Sequence, residues 1–130
     1  MKKILCILQN AWGPINKCPV IFEPYPENRS AKMIRKAVGD NYFVFSNTTN
    51  EVTKTAKERA KPNYKHFERV IKCIPLFDIV LVCGVQAKNT VNKYIDEIKK
   101  YNKPILFIPH PAQCLSNKKC EEIKHIIDSL

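Results

Sequence analysis

Two kinds of apolar segment alternate along this chain: short, nearly unbroken runs, and longer stretches in which apolar residues return every three or four positions. The short runs fall at residues 3–8, 42–46, 78–83 and 104–108. Runs without polar alternation suit strands covered on both faces of a parallel sheet. Helical patterns lie between them. Residues 30–38 are stopped by Gly39 and Asp40, and residues 63–73 have Asn63 placed to cap and Pro75 to terminate. Over 85–101, Val91, Tyr94, Ile95 and Ile98 share one face while Lys93, Lys99 and Lys100 lie on others. A last helix beginning at Ser116 or Asn117 keeps Ile123, Ile126, Ile127 and Leu130 together. The alternation predicts an α/β fold, a three-layer α/β/α single domain over residues 1–130 with a four-stranded parallel sheet.

Three polar, irregular stretches interrupt that plan: 11–29, which holds four of the nine prolines, 48–62, and 109–116. Each follows the C-terminal end of a predicted strand. In an open parallel sheet the ligand crevice lies outside those carboxyl ends, so the site is expected where these loops converge.

Composition narrows the choice of partner. No apolar run approaches the roughly 20 residues of a membrane span, and the lysine-led N-terminus stops being apolar after Leu8, too soon for a signal peptide. The reading is a cytoplasmic protein with no membrane partner. Twenty-two Lys and Arg against twelve Asp and Glu give a formal charge of +10, a field that draws polyanions, although a Lys- and Asn-rich composition also follows from an AT-rich genome. The six cysteines show no C-x-x-C spacing, so no metal is expected, and Cys6, Cys73 and Cys83 read as small core residues; the reading also includes no cofactor.

Candidate chemistry sits at three strand ends. After the first strand come Gln9, Asn10, Ala11, Trp12 and Gly13, where small residues allow close backbone approach and an amide can hold a water. The same residues also suit an Asn-initiated turn with Trp12 plugging the core. After the second, Asn47 carries the paired donor and acceptor that reading a pyrimidine edge requires, or it merely ends a strand. After the fourth, His110 is held between Pro109 and Pro111, which fix its direction. His66 and His125, on predicted helices, read as structural.

Taken in order, these segments resemble the uracil-DNA glycosylase superfamily over most of the chain. Gln9-Asn10-Ala11-Trp12 is similar to that family's Gln-Asp-Pro-Tyr water-activating motif, and Phe45-Ser46-Asn47-Thr48 to its Leu-Leu-Asn-Thr. His110-Pro111-Ala112 with Leu115-Ser116 is similar to His-Pro-Ser-Pro-Leu-Ser with one extra residue, and Asn28-Arg29-Ser30-Ala31 resembles the Gly-Arg-Ser-Gly of small bacterial and phage relatives.

The resemblance implies a uracil-DNA glycosylase-like fold and a monomer acting on single- or double-stranded DNA. Asn10 would position the attacking water, and His110 would stabilise the departing base anion. Asn47 would bind the flipped base, with Gln9, Trp12, Phe22 or Tyr25 around it. Leu115 would be the wedge filling the vacated stack; Ser116, Ala112, Arg29, Ser30, Lys118, Lys54 and Lys57 would hold DNA, with Arg59, Lys61 and Lys119 flanking the same loops. Asn10 in place of Asp implies slower chemistry or a better leaving group. Ala11 replaces the usual proline, and the cysteine quartet of the iron–sulfur branch is absent. Two other readings remain: an inactive module of this fold binding a nucleic acid, nucleotide or protein, and a phage or anti-phage glycosylase for a hypermodified base.

Overall fold

A computed structural model describes all of residues 1–130. Its strands are β1 (Lys3–Leu8), β2 (Ala11–Trp12), β3 (Tyr42–Asn47), β4 (Val52–Thr53), β5 (Ile79–Cys83) and β6 (Ile105–Ile108). The helices are α1 (Arg29–Val38), α2 (Tyr64–Cys73), α3 (Val85–Lys93), α4 (Ile95–Lys99) and α5 (Asn117–Ser129). Four strands form one parallel sheet in the order β3-β1-β5-β6.

That order follows from right-handed crossovers. The chain moves from β1 to β3 in one direction and then returns past β1 to β5 and β6. The outward helix α1 and the returning helices α2, α3 and α4 therefore cover opposite faces. Strand residues sort accordingly: Ile4, Cys6, Phe43, Phe45, Ile79 and Leu81 pack with α1 and α5. Their neighbours Leu5, Ile7, Val44, Val80 and Val82 pack with α2, α3 and α4. No helix is long and apolar enough to cross a membrane.

Caps stand where short polar side chains precede the helical patterns. Asn28 accepts from the Ala31 N–H, Asn63 from His66 and Ser116 from Lys119, each at 3.1 Å. At the far end of the sheet, Lys2 Nζ donates to the Ile127 carbonyl at 2.9 Å, tying the start of β1 to the last turns of α5.

Three expectations are corrected. The helix over 85–101 is broken at Tyr94, whose φ of −116° and ψ of 20° leave the helical range. There its ring meets Tyr64 at 5.0 Å and Phe67 at 5.6 Å between centroids, so aromatic packing on α2 overrides a continuous apolar stripe. The stretch 48–62 is not wholly irregular: β4 pairs in parallel with β2, Ala11 opposite Val52 and Trp12 opposite Thr53. Trp12 does not plug the core but stands largely in solvent.

Candidate functional site

Because β1 sits between β3 and β5, with α1 and α3 leaving toward opposite faces, the sheet opens at the C-terminal ends of β1 and β5. A cleft of about 1300 Å³ occupies that edge. It brings together Asn10 from the end of β1, Asn47 from the end of β3 and His110 from beyond β6. Gln9, Trp12, Phe22, Tyr25, Arg29, Ser30 and Ala112 line it as well.

The segment between β2 and α1 forms one wall. Cys18 N–H donates to the Asn50 carbonyl at 2.9 Å, and Phe22 exchanges backbone hydrogen bonds with Phe45 at 2.9 and 3.0 Å. The Phe22 ring meets Phe45 edge-on at 6.1 Å. This strap is thus laid along the free edge of β3 by backbone pairing.

His110, like Asn10, is half-buried, whereas Asn47 is buried. Its Nδ1 accepts from the Ala112 N–H at 3.2 Å. A nitrogen that accepts carries no proton, so the neutral ring bears its hydrogen on Nε2, which has no protein partner. Burial and, secondarily, the nearby Arg59 guanidinium push the imidazole pKa below its usual value, which keeps it neutral. Gly84 makes room for it, since a Cβ there would stand 3.3 Å from His110 Cβ.

The two asparagines are more committed. Asn10 Oδ1 accepts from Ala60 N–H at 3.2 Å, while Nδ2 donates to the Ala11 carbonyl at 3.0 Å and Thr53 Oγ1 at 3.3 Å. Asn47 is only 2% exposed. With its oxygen accepting from Ala11 N–H at 3.2 Å and its nitrogen donating to the Ser46 carbonyl at 3.0 Å, both polar groups are satisfied. Asn47 keeps a second N–H, whereas Asn10, with both of its N–H groups engaged, keeps only a second lone pair on Oδ1. Cys18 lies against this amide at 3.3 Å, and burial pushes its thiol pKa up. Gln9 is likewise occupied, its Nε2 donating to the Ala60 carbonyl at 3.1 Å.

The proposed wedge is corrected. Leu115 is 7% exposed and belongs to the core beneath α1 and α5, so it reaches no duplex. Ser116 Oγ is engaged as the α5 cap. Lys54, Lys57 and Lys118 are exposed but lie outside the cleft lining. His66 is buried on α2 with Nε2 unpartnered, and His125 is exposed on α5.

The cleft also holds residues that the motifs did not single out. Lys17 and Lys88 join Arg29, Arg59 and Lys119 around it, against one carboxylate, Glu23. The chain's single ion pair within 4 Å is Lys119 with Glu122 at 3.3 Å, so the other four cations face the cleft without a carboxylate partner. Phe107 and the first turn of α3, which has no side-chain cap, complete the far wall. The strand order was the signal for these: once β5 lies beside β1, the tight turn at Gly84 must border the crevice. No group of three or more His, Cys, Asp or Glu side chains is arranged to hold a metal ion.

No protein-family model, curated protein or solved structure matches the chain.

Proposed function

We propose that this cleft is that of a base-extruding hydrolase, which takes one nucleotide out of a strand and cleaves the bond between its base and its sugar. In particular, the chain reads as uracil-DNA glycosylase-like, excising uracil or another modified base from DNA by attack of water at the sugar. The observation that carries this reading is His110, a neutral imidazole with its Nε2 hydrogen free in a basic cleft also lined by Asn10 and Asn47.

The chemistry needs little more. Departure of the base leaves positive charge on the sugar and negative charge spread over the base. A preorganised donor at that anion is worth about 10²–10³ in rate. His110 Nε2–H is such a donor. Asn10 and Asn47 offer their remaining amide positions to the water and the base edge, and Trp12, Phe22 and Tyr25 offer ring faces. Unpaired cations around the cleft hold the phosphates. The test is release of free base from oligonucleotides carrying uracil and a panel of modified bases. His110→Ala is expected to lower release about 10²–10³-fold while binding is kept. No release from any substrate, or release unchanged in His110→Ala, overturns the reading.

A second reading is favoured by the commitment of the asparagines to backbone partners: a nucleic-acid-binding module of the same fold without chemistry. It predicts salt-sensitive association and no base release.

A further inference from the structure

We infer that the cleft takes its nucleic acid as a single strand rather than as a duplex. This deepens the proposed function and rests on it only for the identity of the ligand as a nucleic acid. Two separate features support it. The first is the buried Leu115, which packs in the core with Ala31, Ile34 and Cys120. The exposed tip of its loop is Gln113 and Cys114, and neither is an apolar wedge. Extracting a nucleotide from a duplex breaks pairing and stacking that an inserted side chain replaces. A single strand has no pairing to break and needs no wedge.

The second feature is a set of aromatic rings left in solvent around a basic cleft: Trp12 is 59% exposed, Tyr25 83% and Phe107 41%. They come from β2, the segment before α1, and β6, with β6 at the far edge of the sheet. Four strands spaced ~4.8 Å apart make that edge about 14 Å wide, room for more than one base. The faces of paired bases are hidden within a duplex, whereas a single strand turns them toward aromatic side chains while cations follow its phosphates. The cations are interleaved with the rings: Lys88 Nζ lies 5.5 Å from the Phe107 centroid, and Lys17, Arg29 and Arg59 have no carboxylate within 4 Å.

Trp12 is the only tryptophan, so its emission reports on the cleft directly. The full chain is titrated with a uracil-containing oligodeoxynucleotide of about 16 nucleotides, and with the same strand annealed to its complement. The single strand is expected to quench Trp12 and to bind at least about tenfold more tightly, equivalent to about 1.4 kcal/mol. Phe107→Ala and Tyr25→Ala should each weaken that binding roughly tenfold. Equal or tighter duplex binding, absence of quenching, or no binding of either form overturns the inference. Base release scored in the same samples separates the two proposals. Release with equal duplex binding sinks the single-strand inference alone, and quenched single-strand binding without release sinks the glycosylase reading alone.

Discussion

Replacing Gly84 by alanine tests the packing that fixes His110. Gly84 joins β5 to α3 at φ +90° and ψ 169°, a region essentially confined to glycine. Forcing an L-residue there costs on the order of 1–3 kcal/mol. The new Cβ would lie 3.3 Å from His110 Cβ and 3.4 Å from Cδ2. His110 has little freedom to yield, with a proline on each side and its Nδ1 bonded to the Ala112 N–H. For 130 residues, the usual unfolding entropy per residue gives about 4 °C per kcal/mol, so Gly84→Ala should lower Tm by roughly 4–11 °C. Gly13→Ala is the control, because Gly13 has φ +127° but nothing within 4 Å of its would-be Cβ. Both variants should melt early in calorimetry, yet only Gly84→Ala should move the His110 imidazole signals in NMR. A Gly84→Ala Tm within about 1 °C of the parent, with those signals unmoved, would refute the packing.

Asn10→Ala removes two hydrogen bonds that join the end of β1 to Thr53 and Ala60, and a third to the neighbouring Ala11 carbonyl. It should cost about 2 kcal/mol, near 8 °C in Tm; an unchanged melting curve would show that the amide does not pin the loop. Burial lowers the pKa of both His66 and His110 below 6.5, so the unfolded chain takes up protons first as pH falls. Their contribution to stability is therefore complete above pH 6.5 and is lost as pH falls from there toward the lowered values. Denaturant titrations between about pH 7 and 5 should show this loss, and His66→Phe, which removes a buried unpartnered Nε2, should reduce it. Binding of a single strand should weaken with salt, and Lys88→Ala should make the slope of log K against log salt shallower by about 0.7. An identical slope would remove Lys88 from the phosphate path.

How much was legible depended on whether a feature is local. The four strands of the main sheet lie where their apolar runs do: Ile4, Leu5, Cys6 and Ile7 of the inner strand β1 are all inaccessible, whereas β6, at the sheet edge, leaves Phe107 exposed. Asn63 and Gly39 mark helix ends because capping is settled within a few residues. The break at Tyr94 was not legible, since it comes from rings on α2 distant in sequence. Nor was β4, a two-residue strand that exists because β2 runs beside it. Leu115 follows a polar loop tip and reads as exposed, and only the seating of α5 on α1 buries it. Among the residues lining the cleft, Asn10, Asn47 and His110 could be placed there from strand ends alone. Lys17, Lys88 and Phe107 needed the lateral order of the strands, which no run of hydrophobicity encodes.

The hydrogen bond from Lys2 to Ile127 places the two ends of the chain side by side, at the opposite end of the sheet from the cleft. An affinity tag, fluorophore or second protein joined at either end therefore hangs away from the opening. A short peptide linking the ends would give a ring, or a permuted chain reopened at an exposed turn, with the crevice geometry preserved. Surface immobilisation through either terminus leaves the cleft facing the bulk solution, so the strand binding proposed above can be followed on single molecules.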